Sequence, residues 1–278
     1  MLELTGPGIR KRSRLYDRRL GLDEAVLKRS RAVIARALRD GAQLTRAEIG
    51  SVLRRAGIEA ETQALAHVMM NAELEGIVCS GARKGKQFTY ASLETRAPRA
   101  KTLTRDEALG ELARRYFTSH GPATLRDYVW WSGLIVGDAK RGIEIAGSAL
   151  EREVLDDRTY WSAPSTRSVP RAAWGAHLLP NYDEYLVAYR DRDAVVGGVA
   201  RGPAAAKPRG SDVFAHSLIV EGRLAGSWTR TTGRDEVTLD VVSYRRLTPL
   251  ERRNVSAAAE RHGRFMKKAV VCVQGSAR

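Results

Sequence analysis

The chain has 278 residues and a formal net charge of +15, from 47 lysines and arginines against 32 aspartates and glutamates. Its 43% of hydrophobic and 28% of charged residues are typical of a globular protein rather than a disordered one. No apolar run is long enough to span a bilayer, and the first residues lack the apolar stretch of a secretory signal. Two cysteines cannot form a disulfide framework or a cysteine-rich zinc site, so we expect a cytoplasmic protein.

The positive charge is concentrated at the two ends of the chain. Residues 1–55 contain 14 basic and 6 acidic side chains, and residues 241–278 contain 9 and 2. A nucleic acid is the natural partner for such charge, because each neutralised phosphate releases counterions. A basic surface that is merely solvated accounts for the composition equally well, so charge alone leaves both interpretations open.

Helix signals predict a first structural unit over residues 22–95, preceded by a basic segment over residues 1–21. Asp23 is a predicted N-cap, and Thr45 with Glu48 has the spacing of a capping box. A third amphipathic helix follows, and then two short strands with a basic turn between them. Three helices followed by a hairpin are typical of a winged helix.

The same pattern recurs over residues 102–165. Thr104 and Glu107 form a second predicted capping box, and two further helices lead to a hairpin that turns at Asp156 and Asp157. Trp130 and Trp131 are expected to fill the core of this unit. The recurrence predicts two tandem units of one architecture.

Residues 176–278 have a different pattern, with short alternating strands separated by turn signals. A loop is predicted from Gly197 to Gly210. Thr248 and Glu251 form a capping box for one basic helix, and a closing strand is predicted from Ala269. This part of the chain is therefore expected to be a small, mostly β domain with one helix.

Four segments together resemble one known family, and they extend over most of the chain. The resemblance is to the AlkZ/YcaQ-type winged-helix DNA glycosylases, and it rests on residues Leu44–Ile58, Ala64–Tyr90, Thr104–Leu134 and Leu178–Asp193. It implies an α+β fold of tandem winged-helix units followed by a small C-terminal β-barrel-like domain. It also implies a role on DNA without a cofactor, because members of the family release bulky alkyl adducts and unhook interstrand crosslinks by cleaving the N-glycosidic bond.

The family's catalytic Gln-x-Gln motif has no counterpart in this sequence. The four glutamines are Gln43, Gln63, Gln87 and Gln274, and none has glutamine or aspartate two positions later. The first residues look like the region after the family's first winged helix, so we expect two of its three winged helices. Either the chain begins downstream of the true start or it is a truncated derivative.

Four groups of residues are candidates for contact with double-stranded DNA, with or without a lesion. The alternative is a polar turn for the hairpin tip, a solvent-facing surface or internal packing for the helix before it, disorder for the N-terminal cluster and a solvated helix face for the two C-terminal lysines. They are the first hairpin's tip (Arg83, Lys84, Lys86), the helix before it (Thr62, Gln63, His67), the N-terminal cluster (Arg10, Lys11, Arg12) and the pair Lys267 and Lys268.

Asp183 and Glu184 are weak catalytic candidates, since a carboxylate can stabilise the developing sugar cation of glycosidic chemistry. The alternative is a structural network in which these acids hold Arg190 or Arg192. The histidines do not cluster at metal-ligand spacing, so no metal site is predicted. The predicted function is DNA binding by a monomer at the nucleoid, without the complete set of catalytic residues. The alternatives are a winged-helix transcription regulator and a protein-interaction module.

Overall fold

The computed structural model describes residues 1–164, 175–196 and 216–276. The chain divides into two compact units, Met1–Leu112 and Ala113–Arg278, and the division falls inside one helix. The predicted loop from Gly197 to Gly210 lies outside the described residues, as do residues 165 and 278, which end two predicted domains. The combination of helices and sheets that the sequence predicts is confirmed.

The first unit contains mostly helices and one small sheet. Its sheet has the strand order β1-β3-β2, and Leu44 pairs with Tyr90 across β1 and β3. In chain order its elements are α1 (Leu2–Arg19), α2 (Glu24–Ala37), β1 (Leu44–Thr45), α3 (Arg46–Arg55), α4 (Thr62–Leu74), β2 (Val78–Ser80), β3 (Thr89–Ser92), α5 (Leu93–Arg96) and the start of α6 (Arg105–His120).

The basic segment over residues 1–21 is a helix, α1, that packs against α4. The sequence analysis expected this segment either to lie along phosphates or to be disordered, and it did not predict the contact with α4. Gly6 is buried at that contact, where an added Cβ would lie 3.3 Å from the carbonyl oxygen of Leu74. The small residue therefore allows the two helix backbones to approach closely.

Predicted caps begin several of these helices. The Asp23 side chain accepts a hydrogen bond from the amide of Val26, and Thr45 forms the predicted capping box with Glu48. Such caps satisfy amide groups that have no partner within the helix. The apolar faces of α2, α3 and α4 then meet in one core, which includes Ile34, Leu38, Ile49, Leu53 and Met69.

The second unit repeats this order of elements. Its first sheet has the order β4-β6-β5, which corresponds to β1-β3-β2 of the first unit. The elements are the end of α6, β4 (Ala123–Thr124), α7 (Leu125–Ser132), α8 (Val136–Ala146), β5 (Glu151–Leu155), β6 (Arg158–Ser162), β7 (Ala176–Leu179), α9 (Glu184–Val187), α10 (Asp193–Val196), β8 (Ser217–Val220), β9 (Arg223–Thr232), β10 (Glu236–Ser243), α11 (Pro249–Met266) and β11 (Ala269–Ser276).

Aromatic side chains form much of the interior around α7. Tyr116, Phe117 and Tyr128 are fully buried and in mutual contact. The prediction for the tryptophan pair is wrong for one of its members, because Trp130 is 46% exposed. Its indole nitrogen donates to the carbonyl oxygen of Val187 at 2.9 Å, so the ring lies on the surface and bridges to the last residue of α9.

Five strands form the second sheet of this unit, in the order β11-β10-β9-β8-β7. Strands β10 and β11 are parallel and the other neighbours are antiparallel. Helix α11 connects β10 to β11 and packs on the sheet, with Val255 and Ala259 in the shared core. Among the described residues, β7 and β11 are the two edges of the sheet, and no closed barrel is seen.

Candidate nucleic-acid interface

The basic hairpin, residues 81–88 between β2 and β3, presents cations and an aromatic ring to solvent. Arg83, Lys84 and Lys86 are exposed, and Lys84 and Gln87 pair through their backbones. The guanidinium of Arg83 lies 4.4 Å from the centroid of the Phe88 ring, which is 68% exposed. Positive charge beside an exposed ring is suited to a nucleic acid. Cations contact the phosphates, and apolar side chains can insert between base steps in the minor groove.

One cation of the basic hairpin is already paired within the protein. Lys84 Nζ lies 2.7 Å from Glu48 Oε1. This hydrogen bond, followed by those from Thr45, lowers the pKa of Glu48 to about 2. Lys84 therefore fixes the hairpin against α3, whereas Arg83 and Lys86 keep their charges available to a partner.

The predicted groove-facing residues of α4 are not equivalent in the structure. Thr62 and Gln63 are exposed at the start of the helix. His67 Nδ1 lies 2.7 Å from Asp17 Oδ1, and its ring stacks on Tyr16 with the centroids 5.0 Å apart. The histidine thus joins α4 to α1, which is the packing role that the sequence analysis left open.

We expect His67→Ala to lower the free energy of unfolding of the first unit by about 2 kcal/mol, because Asp17 is buried and loses its side-chain partner. The matched change Gln63→Ala, four residues earlier on the same helix, should alter it by less than about 0.5 kcal/mol. Urea unfolding of both variants measures the difference. Equal effects would contradict the packing role of His67.

The other predicted cations divide into paired and exposed groups. Arg10 forms an ion pair with Glu75, whereas Lys11 and Arg12 are exposed on α1. Lys268 Nζ donates to the carbonyl oxygen of Gly233 at 3.0 Å. Lys267 is exposed and ends α11 in a left-handed conformation with φ of 54°. The exposed members remain predicted DNA contacts.

The two acidic candidates make contacts that hold α9 in place. Asp183 Oδ1 accepts from the amide of Tyr185 at 2.9 Å and so caps the helix. Glu184 Oε2 lies 3.2 Å from both His120 Nε2 and Trp131 Nε1. These contacts are structural, but their partners differ from the nearby arginines that were considered from the sequence.

Buried Asp127 organises the chain that follows α9, and sequence reasoning did not single it out. One carboxylate oxygen completes a capping box with Thr124, and the other accepts from the amides of Arg190 and Asp191 at 2.8 and 3.1 Å. The side chain is only 3% exposed. It thereby brings Arg190 beside α7, although the two are far apart in sequence.

Among the described residues, neither a membrane-spanning helix nor a metal-binding cluster is found. None of the helices in the described ranges is long and apolar enough to cross a membrane. In the same ranges, no three His, Cys, Asp or Glu side chains converge in a way that could hold a metal ion.

The fold is similar to that of a known DNA glycosylase. The solved structure of Streptomyces sahachiroi DNA glycosylase AlkZ matches 93% of this chain and 72% of its own, with a TM-score of 0.66 at 18% identity. None of the curated proteins matches the sequence. The model of the family described as DNA glycosylase AlkZ-like matches residues 4–265. The chain therefore belongs to the AlkZ-like DNA glycosylase family.

Proposed function

We propose that the protein binds duplex DNA as a monomer at the nucleoid, mainly through phosphate contacts, using two winged-helix units. The observation that carries this proposal is the basic hairpin, in which exposed Arg83 and Lys86 flank a lysine that fixes the hairpin to α3. A fixed hairpin loses little conformational freedom when its cations meet phosphates. Membership of a DNA glycosylase family supports DNA as the polyanion.

Helix α4 is poorly suited to reading base sequence. In a winged helix this third helix enters the major groove, but here α1 packs against it and engages His67. Recognition of particular operator sequences needs several free side chains at base edges. We therefore favour repair-type binding, with little dependence on sequence, over a transcription regulator.

The chain is proposed to bind damaged DNA without releasing the base. It contains no Gln-x-Gln motif, and two of its glutamines have structural contacts. Gln43 accepts from the amide of Ala82 at 2.6 Å, and Gln274 donates to the hydroxyl of Ser256 at 3.0 Å. Asp183 and Glu184 are occupied in holding α9.

Binding of the wild-type chain to several duplexes of unrelated sequence, each in a salt series, tests this proposal. We expect affinities within about threefold of one another, since phosphate contacts dominate. The logarithm of the affinity should fall steeply and linearly with the logarithm of the salt concentration. An affinity for one sequence that exceeds the others by about a thousandfold would favour the regulator instead. Binding to a protein partner alone, with no DNA affinity, would favour the interaction module.

A further inference from the structure

A cleft in the second unit gathers four arginines from three separate segments. This arginine cleft has a volume of about 490 Å³, within the range of sites that hold a nucleotide-sized ligand. Arg126 comes from the start of α7, Arg158 from β6, and Arg190 and Arg192 from the chain after α9. Thr124 and Trp161 also line the cleft.

The charges in the arginine cleft are only partly compensated. Arg158 forms an ion pair with Asp191, and Asp193 adds one more carboxylate to the lining. Among the described residues, Arg126 forms no ion pair or hydrogen bond. The lining therefore keeps an excess of positive charge.

Two of the guanidinium groups are held close together. Arg190 and Arg192 lie over the ring of Trp130, at 5.3 and 5.7 Å from its centroid. Burial, and then the neighbouring charge of Arg190, lowers the pKa of Arg192. The two like charges repel each other, and an anion bound near both would relieve that repulsion.

We propose that the arginine cleft binds a backbone phosphate of a nucleic-acid strand, an inference that rests on the proposed function and adds a second contact region to it. Guanidinium groups match phosphate oxygens in paired hydrogen bonds. Arg126 and Arg190 are exposed, so a continuous strand can reach them. The two carboxylates disfavour the dense charge of a free triphosphate more than the single charge of a phosphodiester.

The test compares Arg126→Gln with Arg223→Gln, which removes an exposed arginine of the same unit outside the cleft. Fluorescence anisotropy with a short labelled duplex should show about a tenfold loss of affinity for Arg126→Gln. The salt slope, which is the slope of log affinity against log salt concentration, should be smaller in magnitude by about 1. The control should lose less than about threefold. Arg190→Gln is a second cleft variant, so the test does not depend on one substitution at the start of α7.

Any other outcome contradicts the proposal that the arginine cleft binds a phosphate of a nucleic-acid strand. If the wild type binds duplex but both cleft variants match the control, the cleft inference is overturned while the proposed function survives. If the wild type shows no duplex binding, both are overturned. If AMP displaces the duplex at equal phosphate concentration, and Arg126→Gln abolishes that displacement, the cleft takes a free nucleotide rather than a strand.

Discussion

Replacing Arg83 and Lys86 together by glutamine is expected to weaken duplex binding by about 10- to 30-fold and to reduce the salt slope by about 2. Both side chains are exposed on the basic hairpin, and each would neutralise one phosphate. Lys84 is left in place because its contact with Glu48 fixes the hairpin to α3. The variant should therefore lose DNA contacts without losing stability, which anisotropy and thermal unfolding measure together.

The matched control is Lys28→Gln with Arg36→Gln. Both residues are exposed on α2, in the same unit, and the double change removes the same charge. We expect the control to lose less than about threefold in affinity, because only the general field of the protein changes. Equal losses in the two double variants would mean that the hairpin has no special role.

The largest expected effect on stability is that of Asp127→Asn. The carboxylate accepts from the amides of Thr124, Arg190 and Asp191 and from the Thr124 hydroxyl. An asparagine keeps one acceptor oxygen and turns an NH₂ group toward the donors on the other side. We expect a loss of about 2–3 kcal/mol and a fall in Tm of roughly 5–10 °C.

Asp157→Asn makes the same chemical change at an exposed site. Asp157 lies in the turn between β5 and β6 with φ of 60°, a conformation that asparagine tolerates well. Its effect should stay within about 0.5 kcal/mol. Equal Tm values for the two variants would contradict the role assigned to the buried carboxylate.

Local signals predicted the helical part of the fold well. The boxes at Thr45, Thr104 and Thr248 form as expected, because a cap depends on residues three positions apart. The hairpin of β5 and β6 turns at the predicted aspartates, both of which have positive φ. The repeated element order was likewise visible, since each unit repeats the same local signals.

Contacts between distant segments could not be predicted in this way. The packing of α1 on α4 depends on Asp17 meeting His67, and the parallel pairing of β10 with β11 depends on how α11 crosses the sheet. Trp130 was expected in the core because tryptophan is mostly apolar, but its indole nitrogen bonds to Val187 at the surface. None of these features follows from periodicity.

In the candidate site, too, local features could be predicted and contacts between distant segments could not. The basic hairpin could be found because its cations are neighbours in sequence, whereas the exposure of the Phe88 ring beside them is visible only in the structure. The arginine cleft could not be found, because Arg126 and Arg190 are far apart in sequence and come together through contacts such as those of Asp127. A buried acid that bonds to distant amides leaves no signal in the sequence beyond its own capping box.

The most direct test of the account uses the wild-type chain and two duplexes that differ only in one alkylated base. Binding is followed across a salt series, and release of the base is followed in the same samples. The account predicts binding that falls steeply with salt, a preference for the alkylated duplex and no base release. Base release would place the chemistry in this chain, and the absence of salt-dependent binding would contradict the account as a whole.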